Sequence, residues 1–298
     1  MKRRFVTVDV FTETKFGGNP LAVVLDAEGL DGAAMQAIAR EFNYSETTFV
    51  LPPADLAHTA HVRIFTPMRE LPFAGHPNVG TAYALARIGT AFDRPVPATL
   101  LFEEAAGLVP VRILRKGTEI SGAELTAPQP LSRFSELPAS VVAACFGLAE
   151  ADIATDRHLP VVAGVGTPFV IAELCKVETL ARIRPDAAAF AAHLPVDGTS
   201  ALLIYVRAGR GVLRARMIIP LPDIREDPAT GSANAALAGL LAELAPQADR
   251  HFKWTIHQGV EMGRPSLLLA EAEKSAGQVT AIRIGGSCVA VMEGLIDA

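Results

Sequence analysis

Short apolar segments of changing period run the length of the chain. "RFVTVDVF" (residues 4–11) and "LAVVLD" (21–26) are rich in β-branched and aromatic residues and read as strands. "DGAAMQAIAREF" (31–42) spaces Ala34, Ile38 and Phe42 as one helical face, with Asp31 placed to cap it. "ETTFVLP" and "HVRIFTP" return to strands, and "HPNVGTAYALARIG" (76–89) reads as a helix that ends at Gly89. "TLLFEEAAGLVPVRILRKG" and "TEISGAELT" predict further strands joined by turns. After the irregular "TAPQPLSRF" the pattern starts over. A helix "SVVAACFGL", strands within 158–174 and 200–208, the strand "VLRARMIIP" and the helix "SANAALAGLLAEL" follow. The restart places a soft boundary near residue 120.

The two halves share a motif. "VRIFTP" and "ARMIIP" each end a strand, and Arg63 and Arg216, like Pro67 and Pro220, lie 153 positions apart. That offset sets the helix from Gly80 on the helix from Ala233, and Ala74-Gly75-His76 opposite Asp227-Pro228-Ala229. Chance gives single shared offsets too, because a repeat requires self-similarity along its whole period.

The entrances of those two helices carry the candidate chemistry. A helix N-terminus offers backbone N–H groups without partners and a partial positive charge. In "REDPATGSANAA" the residues around Gly231 and Ser232 are too small to shield those donors, and Gly75 and Gly80 give "FAGHPNVGTA" the same character. Such junctions suit a carboxylate, although glycines and Asp-Pro also make plain tight turns. Asp227 precedes a proline, which favours an extended backbone and a capping role. His76 also precedes a proline and is expected on an extended loop. There it is either a solvated side chain or, titrating near neutrality, a site residue. Ser45 and Glu46 lie between a helix and a buried strand. Glu46 is a solvated turn residue or, if buried, an acid/base poised for proton transfer.

Composition narrows the classes. A chain of 298 residues, half of them hydrophobic, is long enough for one large domain or two with good cores. Its net charge of -5 and lack of a basic block leave no electrostatic footprint for nucleic acid, so the expected partner is a small molecule. No apolar run approaches the roughly 18 residues that span a bilayer, and Asp9, Glu13 and Lys15 interrupt any leader after "MKRRF". A cytoplasmic protein without membrane contact is expected. Cys145, Cys175 and Cys288 are far apart and read as buried thiols; His58 and His61 read as exposed rather than metal-binding. "GVGTPF" is not a dinucleotide fingerprint, and "TGSANA" is no nucleophile elbow.

Taken together, "VDVFT…FGGNPLAVVL", "NYSETTFVLP", "RIFTPMRELPFAGHPNVGTA" and "REDPATGSANAA" resemble the phenazine-biosynthesis PhzF-like isomerase family, in order and spacing, over residues 6 to about 240. The resemblance implies the α+β diaminopimelate epimerase-like fold, two pseudo-symmetric halves, 1–120 and 121–285 with the tail from about 286 to 298 returning to the first, each a curved, mostly antiparallel sheet around a central helix, with the active site between them. It implies Glu46 as the acid/base, His76 and Asp227 as residues that hold or polarise the substrate, and Ser45, Gly75, Gly231 and Ser232 as contacts to its polar groups. It also implies a homodimer. Related epimerases place a cysteine at each helix entrance, where this chain is matched by Ala74 and Asp227. A one-base proton shift, needing no cofactor or metal, is the chemistry left. An epimerase or isomerase of another amino-acid-like acid and a non-catalytic carboxylate-binding protein are the alternatives.

Overall fold

The structure, a computed structural model, describes residues 1–220 and 225–298. The chain divides into two compact units, residues 1–128 with 285–298, and residues 129–284.

The first unit runs β1 (Lys2–Val10), β2 (Asn19–Val24), α1 (Gly32–Phe42), β3 (Glu46–Leu51), β4 (Ala60–Phe65), β5 (Glu70–Leu71), α2 (Gly75–Ile88), the short β6 (Thr90–Ala91) and β7 (Arg94–Pro95), β8 (Thr99–Glu104), β9 (Gly107–Lys116) and β10 (Glu119–Thr126). β2 pairs antiparallel with β1 and parallel with β3; β4 pairs antiparallel with β3 and β5 and parallel with β8; β8, β9 and β10 form a meander. The pairing of β10 with β9 keeps residues 119–126 in this unit, so the break falls after Pro128. Helix α2 is buried on every side from Gly75 to Ala86 and touches β1, β2, β3, β9 and β10. A helix so enclosed must be made of small and apolar residues. Gly80 shows how tight the fit is, because a Cβ there would stand 2.6 Å from Leu21 Cδ2 and 2.8 Å from Val10 Cγ2. Helix α1 covers an outer face, packing Met35, Ile38 and Ala39 on Val24, Phe49 and Phe65. Asp31 caps it by accepting from the Ala34 N–H at 2.8 Å.

The second unit runs β11 (Ser132–Glu136), α3 (Ala139–Phe146), β12 (Ile153–Ala154), β13 (Val161–Gly164), β14 (Pro168–Leu174), α4 (Ala187–His193), β15 (Leu202–Gly209), β16 (Val212–Ile219), β17 (Arg225–Asp227), α5 (Gly231–Glu243), β18 (Arg250–Gln258) and β19 (Ser266–Ser275). The last strand, β20 (Gln278–Asp297), starts here and ends in the first unit, where Cys288 to Asp297 pair with β1. Its central helix is α5, buried almost throughout, with Gly239 closely approached by Ile282 and Leu131.

The pairing order of the first unit recurs in the second. β13–β14 is antiparallel, β14–β15 parallel, β15–β16 and β16–β17 antiparallel, β16–β18 parallel and β18–β19 antiparallel. In both units an arginine of the fourth strand makes a bidentate pair across the hairpin. Arg63 holds Glu70 at 2.7 Å through both nitrogens, and Arg216 holds Glu226 at 2.9 and 2.7 Å. The repeat is real, but its register changes along the chain. Phe65 pairs with Glu70, whereas Ile218, 153 residues on, pairs with Glu226, and one more pair, Ile219 with Arg225, follows. The second hairpin therefore holds three more residues between the equivalent pairs, so the helices that follow begin at Gly75 and Gly231, 156 apart. The uniform offset expected from the sequence therefore fails beyond the turn. The counterpart of His76 is Ser232, not Ala229, and that of Ala74 is Thr230, not Asp227.

Candidate active site

In the first unit, a strand end and a helix start bring Glu46 and His76 together. Glu46 opens β3, in parallel register with Leu21 of β2. The hydroxyls of Thr48 and Thr81, 2.8 Å apart in the interior, tie β3 to α2. His76 is the second residue of α2 rather than part of an extended loop, and it is 4% exposed rather than solvated. The helix tolerates Pro77 because the first-turn N–H groups have no intrahelical acceptor. His76 Nε2 lies 3.3 Å from Glu46 Oε2, and its Nδ1 lies 3.3 Å from the side-chain nitrogen of Asn19. Burial pushes the imidazole down to about 3, so the ring is neutral near pH 7. The Asn19 amide donates to Nδ1, which leaves the ring proton on Nε2; that nitrogen approaches Glu46 Oε2 without completing a hydrogen bond to it. Ser45 sits half-buried just before Glu46, and Gly75 is the buried first residue of α2.

In the second unit, Asp227 ends β17 and Gly231 and Ser232 open α5. Asp227 is not at the N-cap position that its place before Pro228 suggested. The N-cap is Thr230, whose hydroxyl donates to Asp227 Oδ2 at 2.5 Å. The fully buried Gln258 braces this junction. Its oxygen accepts from Asn234 Nδ2 at 2.7 Å and from the Thr230 N–H at 3.3 Å, and its amide donates to the Asp227 carbonyl at 2.8 Å. Neither Ala74 nor Thr230 caps its helix through the side chain.

Asn19 and Gln258 were not singled out in the sequence. Asn19 stands inside the motif "FGGNPLAVVL", but its partner is 57 residues away. Gln258 closes a stretch whose strands the sequence reading left unassigned. Two other expectations fail. Cys145 and Cys288 are buried, with thiols pushed up to about 11 and 12 chiefly by that burial, but Cys175 is exposed. His58 is not free in solvent, since its Nδ1 meets Glu103 at 2.7 Å. Among the described residues no cluster of His, Cys, Asp and Glu could hold a metal ion, and no helix is long and apolar enough to cross a membrane.

The family described as phenazine biosynthesis-like protein matches residues 8–294. The chain belongs to this family. It is 40% identical to an uncharacterized isomerase of Mesorhizobium japonicum, over 98% of both chains. It is 37% identical to the trans-2,3-dihydro-3-hydroxyanthranilate isomerase of Pseudomonas aeruginosa, again over 98% of both. Among solved structures, the PhzF-family phenazine biosynthesis protein of Bacillus anthracis superposes with a TM-score of 0.85 at 25% identity, covering all of both chains. The fold is the diaminopimelate epimerase-like α+β fold of two pseudo-symmetric halves, and the protein is an isomerase of the PhzF type.

Proposed function

We propose that this PhzF-family isomerase moves a proton between two carbons of a small carboxylate substrate, without a cofactor, using Glu46 as the single acid/base. The observation that carries the reading is the placement of Glu46 beside a buried, neutral His76, whose Nε2 lies 3.3 Å from the carboxylate in a close approach rather than a completed hydrogen bond. A neutral imidazole next to the base adds no positive charge to the site. Glu46 removes the proton from one carbon, the substrate's double bond shifts, and the same proton returns at the far end of the new system. Asp227, Gly231 and Ser232 are assigned to holding the substrate, with Ser45 and Gly75. The uncapped openings of α2 and α5 suit its carboxylate and other polar groups. The buried thiols of Cys145 and Cys288 stay protonated near neutral pH, which favours a carboxyl base over thiol chemistry.

The compound in the name of the relative at 37% identity, trans-2,3-dihydro-3-hydroxyanthranilate, is the substrate to try first. The test follows its conversion in deuterated water by mass spectrometry and NMR, comparing wild type with Glu46→Gln. Conversion should fall by roughly 10²–10⁴-fold in the variant, the usual contribution of general acid–base catalysis, with binding retained. Equal turnover by both proteins removes Glu46 from the mechanism. A folded wild type that leaves this compound unchanged moves the search to other amino-acid-like acids.

A further inference from the structure

The duplication pairs the brace of the second unit with a group in the first that the proposed chemistry does not use. In the parallel pair β4–β8, His61 stands opposite Glu103; in β16–β18, Arg214, 153 residues on, stands opposite His257. The next residues, Glu104 and Gln258, therefore occupy the same place beside their central helices. Asn78 and Asn234 correspond as well. Each donates its amide to the carbonyl four residues back, Ala74 at 3.0 Å and Thr230 at 2.9 Å. Gln258 then bonds Asn234. Glu104 has both carboxyl oxygens out of contact with solvent, beside Asn78, and neither completes a hydrogen bond; Asn78 Oδ1 is likewise buried and lacks a donor.

We propose that Glu104 is a neutral carboxylic acid in the working protein, a positioning residue that braces the first turn of α2, and with it His76, as Gln258 braces α5. A protonated carboxyl presents one donor and one acceptor, as an amide does, whereas a carboxylate only accepts. Gln258 uses both halves of its amide, accepting from Asn234 Nδ2 and donating to the Asp227 carbonyl; a carboxylate could take over the first contact but not the second. Among the described residues no cation acts on Glu104. On α2 it meets Asn78 and the turn bearing neutral His76, and across the hairpin of β9 it meets Gly107. Strand alternation directs His61 and Arg63 of β4 to the other face, where Arg63 is committed to Glu70. Glu103 of β8 likewise points away and engages His58. Burial accordingly pushes Glu104 up to about 8, against a smaller opposing pull from the Asn78 amide.

The test labels glutamate side-chain carboxyls with carbon-13 and identifies the Glu104 signal by its loss in Glu104→Gln. A titration midpoint near 8 is expected, with the ring nitrogens of His76 shifting in the same titration and not in the variant. A midpoint near the ordinary 4.5, or a His76 ring indifferent to it, overturns the proposal. Glu104→Gln should also unfold at a temperature no lower than wild type at neutral pH and higher above pH 8, while Glu104→Leu unfolds lower throughout. A Gln variant less stable than wild type in alkaline solution is the opposite result. If that variant fails to fold, the wild type still decides. An infrared carboxylic acid band present at neutral pH and bleached in alkali is expected, and its absence at neutral pH rejects the idea.

Discussion

A neutral histidine gains its usefulness from what fixes its proton. The Asn19 side chain reaches His76 Nδ1 and Glu46 lies at Nε2, so the tautomer follows from two contacts on opposite sides of one ring. Asn19→Leu keeps the volume and removes the donor. The expected result is a kcat lowered by roughly tenfold or more, short of the loss expected for Glu46→Gln, with KM little changed. Steady-state kinetics on the converted substrate read this, and an unchanged kcat would leave Asn19 as packing only. Gln258 is a similar case on the stability side. Gln258→Leu takes away the oxygen that accepts from one hydrogen of the Asn234 amide and from the Thr230 N–H, and each buried polar group left without a partner costs about 1–3 kcal/mol. Urea denaturation should show a loss of roughly 2–4 kcal/mol on that basis. Glu46, His76 and Asp227 stood out as candidates in the sequence because family wording surrounds them. Asn19 and Gln258 could not, because their partners lie 57 and about 30 residues away and no local pattern announces such bonds.

At the scale of elements, the two central helices are defined by closeness. Alanine at Gly80 or Gly239 would improve helix propensity by about 1 kcal/mol. The added Cβ would also come within 2.6 Å of Leu21 or Ile282, and overpacking of that kind costs about 1–3 kcal/mol. Both substitutions are therefore expected to lower the denaturation midpoint without altering the slope, and a raised midpoint would show that those side chains yield freely. The strands before these helices were legible from alternation and β-branched residues, and α1 from its face and cap. The register between halves was not. The three extra residues fall between the equivalent pairs of the two hairpins, Phe65–Glu70 and Ile218–Glu226, where alternation does not report length, so the shared offset of the strands could not be carried through to the helices.

For the whole molecule, two buried groups on the same unit oppose each other as pH changes. His76 is depressed from 6.5 to about 3. Its contribution to stability is complete above 6.5 and is lost as the pH falls toward 3, because the unfolded chain takes up a proton that the folded one refuses. Glu104 is raised from 4.5 to about 8, so its contribution is complete below 4.5 and is lost as the pH rises toward 8. Glu103, drawn down to about 2 mainly by the backbone N–H groups of Asp55 and Ala54, adds a contribution lost as pH falls below 4.5. For the two buried groups, His76 and Glu104, each proton is worth about 1.4 kcal/mol per pH unit; the contribution of the solvent-facing Glu103 is reduced by screening. Between 4.5 and 6.5 the slopes of His76 and Glu104 cancel. Wild-type stability, followed by urea denaturation across that range, should show a plateau there, a fall on the acid side from His76 and Glu103 together, and a gentler fall on the alkaline side from Glu104 alone. Glu104→Gln removes one of the two opposing slopes. In that variant stability should climb through the former plateau up to 6.5 and then stay level. A variant curve parallel to that of the wild type would mean that Glu104 is already ionised across the range, and that the first turn of α2 is held by something other than its proton.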